Sequence, residues 1–367
     1  MTAAYTRAQV LGFRMGAQQL DRDGGDLADT TVLDIGVQDT GPDGARGALT
    51  LRGVDVSGPG GDDLVLVWTL RGAPHAYRRA DLPYVAAAVE PYSDADAGKR
   101  IFDAAKPLKE AGIGNLEALD AVATRMRSLV TRPMVKGEVS SRLTPLMDEP
   151  YRRFCRPCNT VHLYEQPFRL AALRAGLELE PGTSPPVLRP IVGFERASRV
   201  PPRFDVIRAY LRLLGPATPK DVAAYIDAPV KDVKAHWPSD AVEVVVEGER
   251  RWVLADDEPL LAAGPVRVVR LLAPFDLFLQ ARDRRLLVAD PARAKTLWPT
   301  LGRPGAVLVN ADVAGTWRAR KAGAGLRVTV EPWGKITVAV GRKIHEQALR
   351  LADHRGLALA DLDLAGS

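Results

Sequence analysis

The chain has 367 residues, of which 46% are hydrophobic and 26% charged, and it carries a formal net charge of +5. This composition is typical of a globular protein of about two to four domains. With no apolar run of about eighteen residues, no secretory signal pattern and only two cysteines, the sequence argues against a membrane-spanning or disulfide-stapled protein. We therefore expect a cytoplasmic protein.

The N-terminal third, residues 1–98, contains a predicted helix at TRAQVLGFRMGAQQL, the segment LDIGVQDT, a strand LVLVWTL and a helix LPYVAAAVE. In LDIGVQDT a predicted strand delivers three polar residues directly into a Gly/Pro turn. Residues i and i+2 of an extended segment share a face, so Gln38 and Thr40 should point together and Asp39 away. Two alternatives stay open for Asp39: it caps a helix that starts near Gly44, or a bulge turns it toward the same site.

Residues 99–180 are predicted to form a second winged-helix-like unit, whose third helix is EQPFRLAALRAG. Before that helix, the spacing of Cys155, Cys158 and His162 invites a zinc interpretation. Only three ligands are nearby, whereas a closed tetrahedral site needs four. We therefore expect a structural role for these residues and no bound metal. The Pro-rich residues 181–202 are predicted to be a linker.

Residues 203–262 carry the clearest pattern in the chain. Three short helices and a two-stranded hairpin follow one another, which is the order of a winged helix. In the third helix, Val230, Val233 and Trp237 are predicted to face inward. Lys231 and Lys234 lie on the opposite side and are candidates for DNA contact.

Residues 263–367 change to short predicted strands: VRVVRLL, RLLVA, AVLVN, LRVTVEP and KITVAV. This pattern predicts a small antiparallel β-barrel or a curled sheet, closed by a C-terminal helix. Between Gly264 and Arg350 there are sixteen Lys/Arg and six Asp/Glu, whereas Asp21 to Ala97 has six basic and fourteen acidic residues. The basic excess suits phosphate binding, and the candidates are Arg282, Arg284, Arg285, Arg318, Arg320 and Lys321. The expected fold class is α+β, with tandem winged-helix units followed by this barrel.

Three segments together resemble one family. LDIGVQDT, LVWTLRGAPHAYRRADLP and the stretch from LLAPFDLFLQARDRR to WRARKAG are similar to the winged-helix DNA glycosylases typified by AlkZ and YcaQ. The resemblance implies a protein of tandem winged helices around a DNA channel. It also implies excision of N-alkylated purines, including purines in interstrand crosslinks.

In this family a strand-end Gln-x-Gln or Gln-x-Asp lies in the catalytic centre and holds the attacking water. Gln38 matches the first position, Thr40 stands at the third, and the acid is the middle residue, Asp39. The resemblance makes these three the catalytic candidates. It also makes Arg71 and His75 of TLRGAPH candidates for DNA contact, although a lone histidine is more often a satisfied core residue.

The expected partner is double-stranded DNA. We expect the protein to be a nucleoid-associated monomer that uses no cofactor and does not bind a membrane. Two other interpretations stay open: a non-catalytic DNA-binding protein, and a winged-helix scaffold that binds only protein.

Overall fold

The computed structural model describes residues 2–56 and 63–365. The chain begins with β1 (Ala4–Tyr5) and α1 (Arg7–Ala17), and Thr6 and Gln9 form a capping box at the start of α1. There follow β2 (Val37–Gln38), α2 (Gly44–Thr50), β3 (Leu64–Trp68), β4 (Pro74–Arg78) and α3 (Leu82–Ala88). Within the described ranges, no helix is long and apolar enough to cross a membrane.

The next region is mainly helical. It contains α4 (Asp94–Arg100), α5 (Ala105–Glu110), α6 (Asn115–Leu129), β5 (Met134–Val135), α7 (Lys136–Leu143), β6 (Arg152–Cys155), β7 (Thr160–Leu163), α8 (Glu165–Arg174), β8 (Leu177–Leu179) and β9 (Val187–Pro190). A six-stranded sheet in the order β2-β4-β3-β8-β9-β5 joins this region to the N-terminal one. The segment predicted as a linker therefore contributes a strand, β9, to that sheet.

The third region has the predicted order of three helices and a hairpin: α9 (Val206–Leu214), α10 (Pro219–Ile226), α11 (Val230–Ala235), β10 (Ala241–Val246) and β11 (Glu249–Leu254). Thr218 and Asp221 form a capping box at the start of α10. β1 pairs in parallel with β10 and extends the hairpin to three strands. Val233 is fully buried, but Val230 is 38% exposed, so its predicted inward orientation is wrong.

The C-terminal region contains β12 (Val269–Leu272), α12 (Arg284–Leu287), α13 (Pro291–Leu297), β13 (Gly305–Val309), β14 (Asp312–Ala322), β15 (Gly325–Pro332), α14 (Val338–His354) and β16 (Ala358–Leu364). Its five strands form one sheet in the order β12-β13-β14-β15-β16. The sheet is open, so the predicted closed barrel is wrong. Two of the predicted strands also differ, because RLLVA folds largely as α12 and the last residues of KITVAV begin α14.

Buried ion pairs join the N-terminal and C-terminal regions. The two terminal guanidinium nitrogens of Arg52, just after α2, donate to the carboxylate of Asp276 at 2.8 and 3.1 Å. The side chains are 1% and 0% exposed. Arg14 on α1 is paired in the same way with Asp283, and both side chains are almost fully buried. These pairs hold the segment between Asp276 and Asp283 against the N-terminal region.

Candidate functional site

Gln38 and Thr40 stand at the end of β2. In the sheet β2 pairs antiparallel with β4, so that Val37 lies opposite Ala76 and Gln38 opposite His75. The Gln38 side-chain nitrogen Nε2 donates a hydrogen bond to Thr40 Oγ1 at 3.0 Å. Both residues are half-buried. The i and i+2 side chains therefore meet, as the extended geometry predicts.

Asp39 is directed to the start of α2. Its carboxylate Oδ1 accepts a hydrogen bond from the backbone N–H of Ala45 at 2.8 Å, and its own N–H donates to the Pro74 carbonyl at 2.8 Å. A β-carbon added to Gly44 would lie 2.0 Å from Oδ1, and Gly44 has φ +28°. A glycine is therefore required at position 44 for Asp39 to reach the helix. This geometry is the capping alternative for Asp39.

His75 is fully buried in β4. Its Nδ1 lies 3.0 Å from Thr69 Oγ1 and 3.0 Å from the Ala73 carbonyl. Burial, assisted by the nearby Arg71 charge, lowers the pKa of His75 to about 3, so the ring is neutral at physiological pH. This burial corrects the expectation that His75 contacts DNA directly. Its Nε2 is buried without a hydrogen-bond partner among the described residues.

Arg71 lies in the tight turn between β3 and β4, with φ +59°. Its guanidinium donates to the Tyr225 carbonyl at 2.6 Å and to Gln280 Oε1 at 2.7 Å. It also stacks over the Tyr225 ring, 4.6 Å from the centroid. One half-buried side chain thus connects the N-terminal sheet, α10 and the C-terminal region.

The charge of Arg71 acts on Arg282 and Arg303, and the charge of Arg284 acts on Arg303; together the four are called the arginine cluster: Arg71, Arg282, Arg284 and Arg303. Burial, and then the charge of Arg71, lower the pKa of Arg282. Burial and the charges of Arg284, Arg282 and Arg71 do the same for Arg303. A guanidinium remains charged under such shifts, so positive charge accumulates at this place.

The arginine cluster offers free hydrogen-bond donors. Arg284 stacks over Trp298 at 4.9 Å and Arg303 over Phe275 at 4.8 Å, and these rings hold the two guanidinium groups without neutralising them. The side-chain nitrogen Nε of Arg282 and the Tyr225 hydroxyl are buried without a partner among the described residues. Arg303 and Tyr225 were not candidates in the sequence, because neither lies in a basic run or a recognisable motif.

The remaining sequence candidates lie on the surface. Lys231 and Lys234 are exposed on α11, and Arg318, Arg320 and Lys321 are exposed on β14. Arg285 is exposed on α12, beside Arg284. In the part of the chain that the structure describes, none of these six side chains forms an ion pair. They are available to an external anion, but they are not part of the arginine cluster.

A cavity of about 510 Å³ is lined in part by the Arg71 turn. Its lining includes Trp68, Thr69 and apolar residues but not Gln38, Asp39 or Thr40, and its charged residues are Arg71, Glu90, Arg100, Asp120, Arg127, Arg174 and Arg196. Arg100 and Arg174 are already ion-paired, with Asp96 and Glu90 respectively. The chemistry of Gln38 is therefore separate from this cavity.

Cys155, Cys158 and His162 are also brought together. Their ligand atoms all lie within 4.8 Å of one another on the β6–β7 hairpin. Their spacing in the sequence suggested a metal site, and the fold brings the three ligand atoms together.

Comparisons with known proteins identify the family of the chain. No curated protein matches the chain at a significant level. A family model described as DNA glycosylase AlkZ-like matches residues 60–354, a range that begins after Gln38. The solved structure of Streptomyces sahachiroi DNA glycosylase AlkZ is similar in fold, with a TM-score of 0.72, 20% sequence identity and 99% of each chain covered. The resemblance read from the sequence is thus confirmed, and the chain belongs to the AlkZ-like DNA glycosylase family.

Proposed function

We propose that this protein is a DNA glycosylase that releases N-alkylated purines, including crosslinked ones, by attack of water at C1′ of the sugar. The observation that carries the proposal is the polar pair formed by Gln38 and Thr40. Family membership supports glycosylase activity, and the pair supplies a place to hold the nucleophile.

The pair can orient a water molecule without a charged base. Thr40 Oγ1 accepts from Gln38 Nε2 and keeps a second lone pair, while Gln38 Oε1 has no hydrogen-bond donor among the described residues. A water that donates one proton to each oxygen would direct its lone pair outward. Fixing a nucleophile in this way lowers the entropic part of the barrier.

A neutral pair is sufficient for a cationic leaving group. An N7-alkylated purine already carries positive charge, so it departs without a strong general acid as the sugar gains oxocarbenium character. The nucleotide must first become accessible or leave the base stack. Asp39, whose carboxylate holds the start of α2, positions the turn in this proposal and does not act as the base.

The duplex is held by its phosphates. The arginine cluster supplies charge and unpartnered donors, which are suited to one or more backbone phosphates. The exposed basic residues of α11 and β14 bind further phosphates along the duplex. In this proposal α11 is the third helix of a winged helix. In this proposal the enzyme is a nucleoid-associated monomer.

The test is base release from two duplexes, one with N7-methylguanine and one with a nitrogen-mustard crosslink. We expect alkali-labile sites from at least one, and Gln38→Ala should remove most product while DNA affinity is retained. Gln19→Ala, at a glutamine that bonds to Thr31 away from the pair, is the matched control. Salt-dependent binding without product from either duplex would instead support a non-catalytic DNA-binding protein.

A further inference from the structure

The β6–β7 hairpin places three metal-binding side chains on one face. Cys155 pairs with Thr160 across the hairpin, and paired residues project to the same side. His162 is two residues beyond Thr160 on β7, so it projects to that side as well. Cys158 lies in the turn between the strands, next to Asn159, which has φ +49°. The turn brings the second sulfur to the first, and all three ligand atoms lie within 4.8 Å of one another.

A hydrogen bond orients the His162 side chain. His162 Nδ1 lies 2.6 Å from the Leu163 carbonyl, so Nδ1–H donates to that oxygen and Nε2 is left to bind a metal. Metal-bound histidines commonly donate their second ring N–H to a carbonyl in this way. Cysteine binds metal ions as the thiolate.

We propose that Cys155, Cys158 and His162 bind one Zn²⁺ ion on the β6–β7 hairpin. Two sulfurs and an imidazole nitrogen suit Zn²⁺, whereas Mg²⁺ and Ca²⁺ prefer oxygen ligands. A water molecule or an added anion completes the tetrahedron, because three protein ligands converge. The proposal replaces the sequence-based expectation of no metal, which rested on the lack of a fourth protein ligand.

The ion would stabilise a contact between the hairpin and the Arg71 turn. Just after β7, the Tyr164 ring lies under the Arg153 guanidinium, 5.4 Å from it. Glu165 then binds both Lys136 and Arg169 at the start of α8. Arg169 donates to the Gly72 carbonyl at 3.1 Å. A fixed hairpin therefore supports the end of α8 that contacts the turn holding Arg71.

The test uses the full chain, purified under reducing conditions. We expect about one zinc per protein by elemental analysis, and added Co²⁺ should replace it with a sulfur-to-metal charge-transfer band. Cys155 and Cys158 are the only cysteines in the sequence, so this band can arise only from the hairpin. Chelation of the zinc should lower the melting temperature, because a ligand bound only by the folded state stabilises it.

Variants make the assignment specific. Cys155→Ser and Cys158→Ser should remove the charge-transfer band, and His162→Ala should keep both thiols but weaken Co²⁺ binding by more than about tenfold. His345→Ala, at an exposed position of α14, is the matched control and should bind Co²⁺ normally. The absence of both zinc and the Co²⁺ band in the reduced wild-type protein would overturn the proposal. So would a Cys155–Cys158 disulfide that persists in protein isolated with reductant.

Discussion

Gln38 Nε2 and Thr40 Oγ1 are hydrogen-bonded at 3.0 Å, and this bond fixes the direction of both side chains at the end of β2. The residue between them takes part in a different interaction, because Asp39 accepts from the Ala45 N–H. Successive side chains of an extended segment point to opposite faces, so the two roles are separated. Gln38 and Thr40 can hold water, and the Asp39 carboxylate between them holds the start of the following helix.

We expect Thr40→Val to reduce base release by about ten- to hundredfold, which corresponds to about 1.4 to 2.8 kcal/mol of lost transition-state stabilisation. Valine keeps the shape of threonine but removes the oxygen that accepts from Gln38. Single-turnover base release measures the effect. Thr296→Val, at a hydroxyl that bonds only to the Arg293 carbonyl, is the control. Unchanged single-turnover rates in Thr40→Val would show that the hydroxyl does not hold the water.

Asp39→Asn should retain most activity, because an amide oxygen can still accept from the Ala45 N–H. Asp39→Ala should lower the free energy of unfolding by about 1 kcal/mol, the usual cost of losing a helix cap. Urea unfolding and base release are measured on both variants. A loss of more than about a hundredfold in Asp39→Asn, with normal stability, would mean that the carboxylate charge acts in the chemistry.

Arg282→Ala and Arg303→Ala should weaken duplex binding to a similar degree for all sequences, because phosphate contacts carry no base information. Each should reduce the slope of log affinity against log salt by about one. Binding is measured by fluorescence anisotropy at several salt concentrations. Arg132→Ala, at an exposed arginine outside the arginine cluster, is the control. If a variant has the same slope of log affinity against log salt as the wild type, the arginine cluster does not bind phosphate.

His75 should make stability pH-dependent. Its pKa is about 3 in the folded protein and 6.5 for the unperturbed residue, so between these values the unfolded chain binds more protons. The free energy of unfolding should therefore fall as pH decreases below 6.5, by up to about 1.4 kcal/mol per pH unit from this residue. His75→Gln should lack that contribution. Equal pH slopes for the two proteins from pH 6 to 4 would contradict the neutral, buried imidazole.

The buried ion pair of Arg52 and Asp276 should be far more important to stability than a surface pair. Asp276→Ala leaves a buried guanidinium without its carboxylate, and such a loss costs about 3 to 5 kcal/mol. Asp361→Ala removes the half-exposed partner of Arg327 and should cost at most about 1 kcal/mol. Chemical denaturation compares the two variants. Similar losses would mean that the buried pair does not join the two regions.

Local sequence patterns determined the helices and hairpin of residues 203–262 and the shared face of Gln38 and Thr40. Both depend on short-range periodicity and on capping residues such as Thr218 and Asp221, which act within a few positions. The C-terminal region was predicted less well. RLLVA and KITVAV are apolar enough to form either a strand or a helix. Packing against the rest of the region determines which of the two each segment forms.

The tertiary structure alone decided which polar residues meet. Arg71 and Arg303 are 232 positions apart, and no local signal connects them. Their proximity depends on buried contacts such as Arg52 with Asp276. His75 is similar: TLRGAPH has the same letters whether its histidine faces DNA or the core, and only the packing of β4 between β2 and β3 buries it. The sequence by itself determined the family and the residues at the end of β2. Long-range packing determined which charges lie together, because it brings distant segments within a few ångströms.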